Sequence, residues 1–235
     1  MRAILFDKDG TLFDFEATWL PVLERLALEA AGGDPAAANS LLEAGGLDRS
    51  TGRVRSGSVI GADTTAAITR LWHPGLSGAA FDDRVSRMDA AFRDHGARHS
   101  VTLPGILATL AGLAETGYVM GVATNDATQA ALAALAATGI DRYVRHVFGC
   151  DSVARPKPAP DMVEAFAKAI GVPIAEIVVV GDNRHDLEMA RTAGAVAIGV
   201  TSGNSAAGDL APHADAVLAS VRDLPGWLAR ISDAR

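Results

Sequence analysis

Apolar positions along this chain keep two different periods, and the change between them divides the sequence. The first run, Ala3-Ile4-Leu5-Phe6, is short and unbroken, as in a strand buried on both faces. After it the spacing turns helical. Trp19, Leu20, Leu23, Leu26, Ala27 and Ala30 share one helical stripe, which Gly32-Gly33 stops. Asp34-Pro35 opens a second helix through Leu41-Leu42, with Asp as N-cap and Pro at the first helical position. Asp63 is expected to cap a third helix carrying Ile68, Leu71 and Trp72. A fourth is expected from about Phe81 to Asp94, with Val85, Met88 and Phe92 on its stripe. The stretch TGRVRSGSVIG between the second and third reads as a loop.

From residue 100 strands return, alternating with helices. A helix from Pro104-Gly105 to about Gly117 precedes a strand over 118–123, and a helix at 127–138 precedes a strand over 144–148. Beyond the Pro-rich turn RPKPAPD come a helix at 160–170 and the strand Ile177-Val178-Val179-Val180. A helix at 186–193 and strands at 196–200 and 215–218 complete the series. Such alternation predicts an α/β fold: a Rossmann-like parallel sheet with helices on both faces. Residues 1–14 and 100–235 would form that core, and residues 15–99 an inserted α-helical domain.

Composition narrows the function classes. Nearly half of the 235 residues are apolar and 21% are charged, so a packed core is expected rather than disorder. A net charge of −7 argues against nucleic acid or an anionic membrane surface as the main partner. The lone Cys150 forms no internal disulfide, the opening residues lack the apolar core of a signal peptide, and no apolar run reaches 18 residues. A cytoplasmic location is the expectation.

Candidate chemistry begins at DKDGTL, residues 7–12, directly after the first strand. Asp-Gly is ordinary turn chemistry, and a turn is one reading. The other is a pair of carboxylates side by side, which repel unless a cation or shared proton relieves them. In an open parallel sheet a site forms beyond the carboxyl ends of the strands. Asp7/Asp9, Thr124/Asn125 and Asp182 all fall at such ends, Lys157 comes from the loop RPKPAPD, and Asp186 lies four residues past Asp182. Four carboxylates against one lysine call for a divalent cation, and an open all-oxygen set suits Mg²⁺ together with a phosphate. The turn reading gives way.

The ordered set DxDGT at Asp7–Thr11, a strand-ending Thr124, Lys157 before a proline and GDxxxD ending at Asp186 resembles the haloacid dehalogenase superfamily. The insertion after the first strand resembles the C1-type helical cap of its phosphoglycolate phosphatases, as does LPG at 103–105. The resemblance implies a phosphatase working through an aspartyl-phosphate, with Asp7 as nucleophile and Asp9 as acid and base. It implies Mg²⁺ held by Asp7, the Asp9 carbonyl and Asp182, with Asp186 behind them fixing a bound water or Lys157. Thr124, the Asn125 backbone and Lys157 would hold the phosphoryl oxygens. The implied substrate is a small phosphate ester, phosphoglycolate first and a sugar phosphate second. A phosphomutase shares the four motifs and stays open. Asp9 argues against a dehalogenase, and the absence of lysine from residues 15–98 argues against a Schiff-base phosphonate cleavage. A phospho-aspartate receiver module is disfavoured, because it carries no helical insertion.

Other residues have plainer readings. Lys8 is expected to point away from the two aspartates, into a salt bridge near the hinge. His185 reads as an exposed loop residue, and Trp19 and Trp72 as core of the insertion. Arg53 and Arg55 carry two readings: solvated surface charges, or a grip on a substrate's remote carboxylate or second phosphate.

Overall fold

The computed structural model describes residues 1–233. Strand β1 (Ala3–Phe6) is followed by helices α1 (Phe15–Ala30) and α2 (Pro35–Gly45), a hairpin of β2 (Leu47–Asp48) and β3 (Arg53–Val54), and helices α3 (Val59–Ala62), α4 (Thr65–Trp72) and α5 (Gly78–His99). Then come α6 (Ile106–Glu115), β4 (Val119–Ala123), α7 (Thr128–Thr138), β5 (Val144–Phe148), α8 (Asp161–Ile170), β6 (Ile177–Gly181), α9 (Arg184–Ala193), β7 (Val196–Val200), α10 (Ala207–Leu210), β8 (Ala216–Leu218) and α11 (Leu224–Asp233).

Six strands form one parallel sheet in the order β5-β4-β1-β6-β7-β8. Period-two alternation sends Ile4 and Phe6 of β1 to a core shared with α6, α7 and α11, and Ala3 and Leu5 to a core shared with α8, α9 and α10. Both faces are thus covered, as an all-parallel sheet requires. The chain runs outward from β1 to β5, crosses back to β6, and runs outward again. β1 therefore sits where the winding reverses, and the crevice beyond its carboxyl end is where such sheets bind ligands.

Between β1 and α6 the chain builds a third apolar cluster, including Trp19, Leu23, Leu42, Ile60, Ile68, Trp72 and Met88. Helix α5 also packs along α7 of the sheet region. Gly96 permits this approach: a Cβ there would sit 3.1 Å from the Trp19 ring and 3.5 Å from Ala134.

Several local expectations are adjusted. Helix α4 is capped by Thr64, whose hydroxyl accepts from Ala67 N, rather than by Asp63. Helix α5 extends beyond Phe81–Asp94 at both ends. The loop after α2 holds the short hairpin and α3, and α10 and α11 are additional. No described helix is long and apolar enough to cross a membrane.

Candidate active site

Asp7 leaves β1 with its N–H donated to Val180 O at 2.8 Å, so the end of β1 is tied to β6, which delivers Asp182. Between them Gly10 adopts φ +78°, and a Cβ there would meet Asp182 Oδ2 at 2.6 Å. A side chain at Gly203 would lie 1.9 Å from the same oxygen. Glycine at both positions lets two backbone segments close around this carboxylate. Asn204 N donates to Asp182 Oδ2 at 3.1 Å, and Ser202 Oγ donates to Gly10 O.

Lys157 is buried and its Nζ lies 2.6 Å from both Asp7 Oδ1 and Asp186 Oδ1. A cis peptide joins it to Pro158. Its backbone N–H donates to Asn125 Oδ1, and Asn125 Nδ2 donates to Ala62 O at 2.8 Å, joining the end of β4 to the insertion. Thr124 is buried at that strand end and accepts from Asp126 N. Asp186 sits in the first turn of α9, where Asn183 N donates to its Oδ2 in a capping box. Asp7, Asp9, Thr124, Asn125, Lys157, Asp182 and Asp186 border one cavity.

The cavity is electrostatically frustrated. Burial, then Asp7 and Asp186, pushes the Asp182 carboxyl well above the ordinary carboxylate range. Burial likewise lifts Asp186 to about 6, with Lys157 pulling the other way. Burial would lower Lys157, but Asp186 and Asp7 outweigh it and carry it above its ordinary value. One oxygen from each of Asp7, Asp182 and Asp186 lies within 4.8 Å of the others. Both Asp186 oxygens already accept hydrogen bonds, from Lys157 and Asn183. Asp7 Oδ2 and Asp182 Oδ1 take none from a described residue. This hard-oxygen donor set fits Mg²⁺.

Lys8 corrects its expectation. It is wholly buried and faces Asp9: Nζ donates to Asp9 Oδ2, lies 2.9 Å from Asp126 Oδ2, and rests 4.6 Å from the Trp19 ring centre and 5.4 Å from that of Phe13. Strand alternation fails to place it because β1 ends at Phe6, and a tight turn follows in which Leu12 N and Phe13 N both donate to Lys8 O. Trp19 is core of the insertion as read, and it does more. Its Nε1 donates to Asp9 Oδ1, so both Asp9 oxygens are held. Burial raises the Asp9 carboxyl to about 6 against the pull of Lys8. Burial alone would lower Lys8, yet Asp126 and Asp9 carry it above its ordinary value.

His185 is not the exposed loop residue expected: it is half-buried in the first turn of α9 and borders the main cavity, and its Nδ1 is buried without a hydrogen-bond partner. Arg53 reaches across to the loop after β7, donating to Gly203 O at 3.0 Å and Asn204 Oδ1 at 3.1 Å. The Ser56 and Ser205 hydroxyls meet at 2.6 Å beside it. Arg55 turns back to Glu43 O. Neither arginine lines the cavity. Lys8, Trp19, Asp126 and the segment 202–205 were missing from the sequence-derived set. The one clue was a lysine between two aspartates in a chain with few lysines.

Comparison with known proteins bears on this geometry. A profile of haloacid dehalogenase-like hydrolases matches residues 1–194. The chain belongs to that family. It is 31% identical over 214 residues to the probable phosphatase IndB of Dickeya dadantii, covering 85% of this chain and 81% of that one. It is 30% identical over 230 residues to a phosphoglycolate phosphatase of Yersinia pestis, covering 95% and 91%. Among solved structures, a predicted phosphoglycolate phosphatase from Haemophilus somnus superposes with a TM-score of 0.75 at 21% identity, over 97% and 98% of the two chains. A hydrolase from Pseudomonas syringae does so with a TM-score of 0.70 at 25% identity, over 98% and 99%. The chain is an enzyme of the phosphomonoester hydrolase class, phosphoglycolate phosphatase-like in sequence.

Proposed function

We propose that this hydrolase is Mg²⁺-dependent and cleaves a small organic phosphomonoester through an aspartyl-phosphate on Asp7. The observation that carries the reading is the Asp7–Lys157–Asp186 bridge beside Asp182, at the end of the strand where the sheet's winding reverses. Mg²⁺ held by Asp7, the Asp9 carbonyl and Asp182 would supply positive charge that offsets the carboxylates and the incoming phosphate.

Asp7 attacks phosphorus through a carboxylate oxygen, and the P–O bond to the alcohol breaks. Asp9, whose carboxyl burial raises to about 6, donates the proton that the leaving alkoxide needs. As a carboxylate it then takes a proton from water attacking the aspartyl-phosphate, which returns Asp7 and releases inorganic phosphate. Lys157, Thr124 and the Asn125 backbone face the phosphoryl oxygens, where charge develops. Asp186 orients Lys157. The helical insertion acts as a cap: its residues 60–63 line the cavity opposite the strand ends.

Phosphoglycolate, the substrate named for several relatives, is the reference ester. Turnover of a phosphate-ester panel, measured with Mg²⁺ and after chelation, tests the proposal. The expected result is Mg²⁺-restored hydrolysis; undiminished turnover after exhaustive chelation refutes the metal dependence.

A further inference from the structure

Next to the phosphate cavity, and sharing Asp9, Phe15, Ile60, Asp63 and Asp126 with it, is a second, smaller compartment. It abuts the apolar cluster of the insertion, and its apolar lining is Phe15, Trp19, Leu23, Ile60, Ile68 and Phe92. Its polar groups are Thr65 and the carboxylates of Asp9, Asp63 and Asp126.

No lysine, arginine or histidine is among the described residues lining this compartment. Lys8 is committed to Asp9 and Asp126 and covered by the Trp19 and Phe13 rings. Arg53 and Arg55 are engaged elsewhere, at Gly203 and Asn204 and at Glu43. An anionic group entering here would lose water, find no counter-charge and face carboxylates. Burying a charge unpaired is strongly unfavourable, whereas an apolar group gains from burial roughly in proportion to its area.

We propose that this compartment receives the leaving alcohol, and that the preferred substrate is a phosphomonoester of an apolar alkyl or arylmethyl alcohol with no second anionic group. The inference rests on the proposed phosphatase reading and on the position of Asp9, which borders both spaces. A leaving oxygen within its reach directs the remainder of the alcohol toward Phe15, Trp19 and Ile68.

The test compares kcat/KM of the full chain with Mg²⁺ on benzyl phosphate, ethyl phosphate and phosphoglycolate, with p-nitrophenyl phosphate reporting the chemistry separately. Benzyl phosphate is expected to exceed phosphoglycolate at least about tenfold, with ethyl phosphate between them. In Ile68→Thr, which puts a hydroxyl into the apolar wall, the benzyl-to-phosphoglycolate ratio is expected to fall about threefold or more. Both esters are assayed on one preparation, so that ratio is independent of the fraction folded. Phosphoglycolate turned over as well as benzyl phosphate, or a ratio unmoved by Ile68→Thr, overturns the substrate class while p-nitrophenyl phosphate hydrolysis keeps the catalytic reading standing. Failure of every ester, p-nitrophenyl phosphate included, overturns the catalytic reading and this inference with it.

Discussion

Lys8→Met removes the cation between Asp9 and Asp126 while keeping a side chain of similar length. Lys8 is fully buried, whereas the side chains of its two partners keep 16% and 33% of their exposure. Breaking a buried pair by removing one partner costs about 3–5 kcal/mol, since the remaining charge is stranded. Water reaches both aspartates here, which places the loss near the low end, about 3 kcal/mol. Contact of the ammonium with the Trp19 and Phe13 rings is lost too, while the methionine replaces part of the packing. For a chain of this size, about 3 kcal/mol lowers Tm by about 6–12 °C. Thermal melts followed by circular dichroism near neutral pH measure it. Adding Asp126→Asn to Lys8→Met removes one of the two stranded charges and should return part of the loss. A Tm within about 2 °C of the parent, or no recovery in the double variant, refutes the view that Lys8 is a structural counter-ion to both aspartates.

Two further predictions concern the carboxylate cluster. Asp182 and Asp186 are raised, mainly by burial, above the carboxylate value of about 4 for an unfolded chain. The folded state therefore binds their protons more tightly, and this stabilisation, complete below about pH 4, is lost as pH rises through about 6 for Asp186 and through the raised value of Asp182. Metal-free protein should melt lower at about pH 7.5 than at about pH 5, and Mg²⁺ should raise Tm more at the higher pH; equal Mg²⁺ increments at both would contradict a metal seated on these groups. Gly203→Ala puts a methyl 1.9 Å from Asp182 Oδ2 and should displace that carboxylate, so the Mg²⁺ concentration giving half-maximal turnover should rise about tenfold or more; an unchanged Mg²⁺ requirement argues against Asp182 as ligand.

Much of the sheet was legible because β1 and β6 are buried on both faces, and their apolar runs stand out from the helical stripes around them. Helix α11 was not, because Pro225-Gly226 reads as a chain breaker, although proline is compatible with a first helical turn. The convergence of Asp7 and Asp182 followed from their positions just past strand ends, with Lys157 on the loop after β5 and Asp186 in the first turn of α9 reaching the same edge. The environment of Asp9 did not. Its partners are Trp19, which periodicity assigns only to an apolar face, and Lys8, whose direction is set by a turn rather than by strand alternation. The role of 202–205 depends on two glycines packing against one carboxylate, which no spacing rule encodes.

The central claim assigns different tasks to the two aspartates of DKDGTL, and phosphorylation of the protein separates them. Acetyl phosphate carries a leaving group that needs no proton, so Asp9→Asn with Mg²⁺ should still transfer a phosphoryl group to Asp7 and then hydrolyse it slowly. Asp7→Asn should not be labelled at all. Mass spectrometry of the acid-quenched, digested protein should find the added phosphoryl group on the peptide containing residue 7 in Asp9→Asn alone. Equal labelling of Asp7→Asn, or a label on another peptide, would contradict Asp7 as the nucleophile.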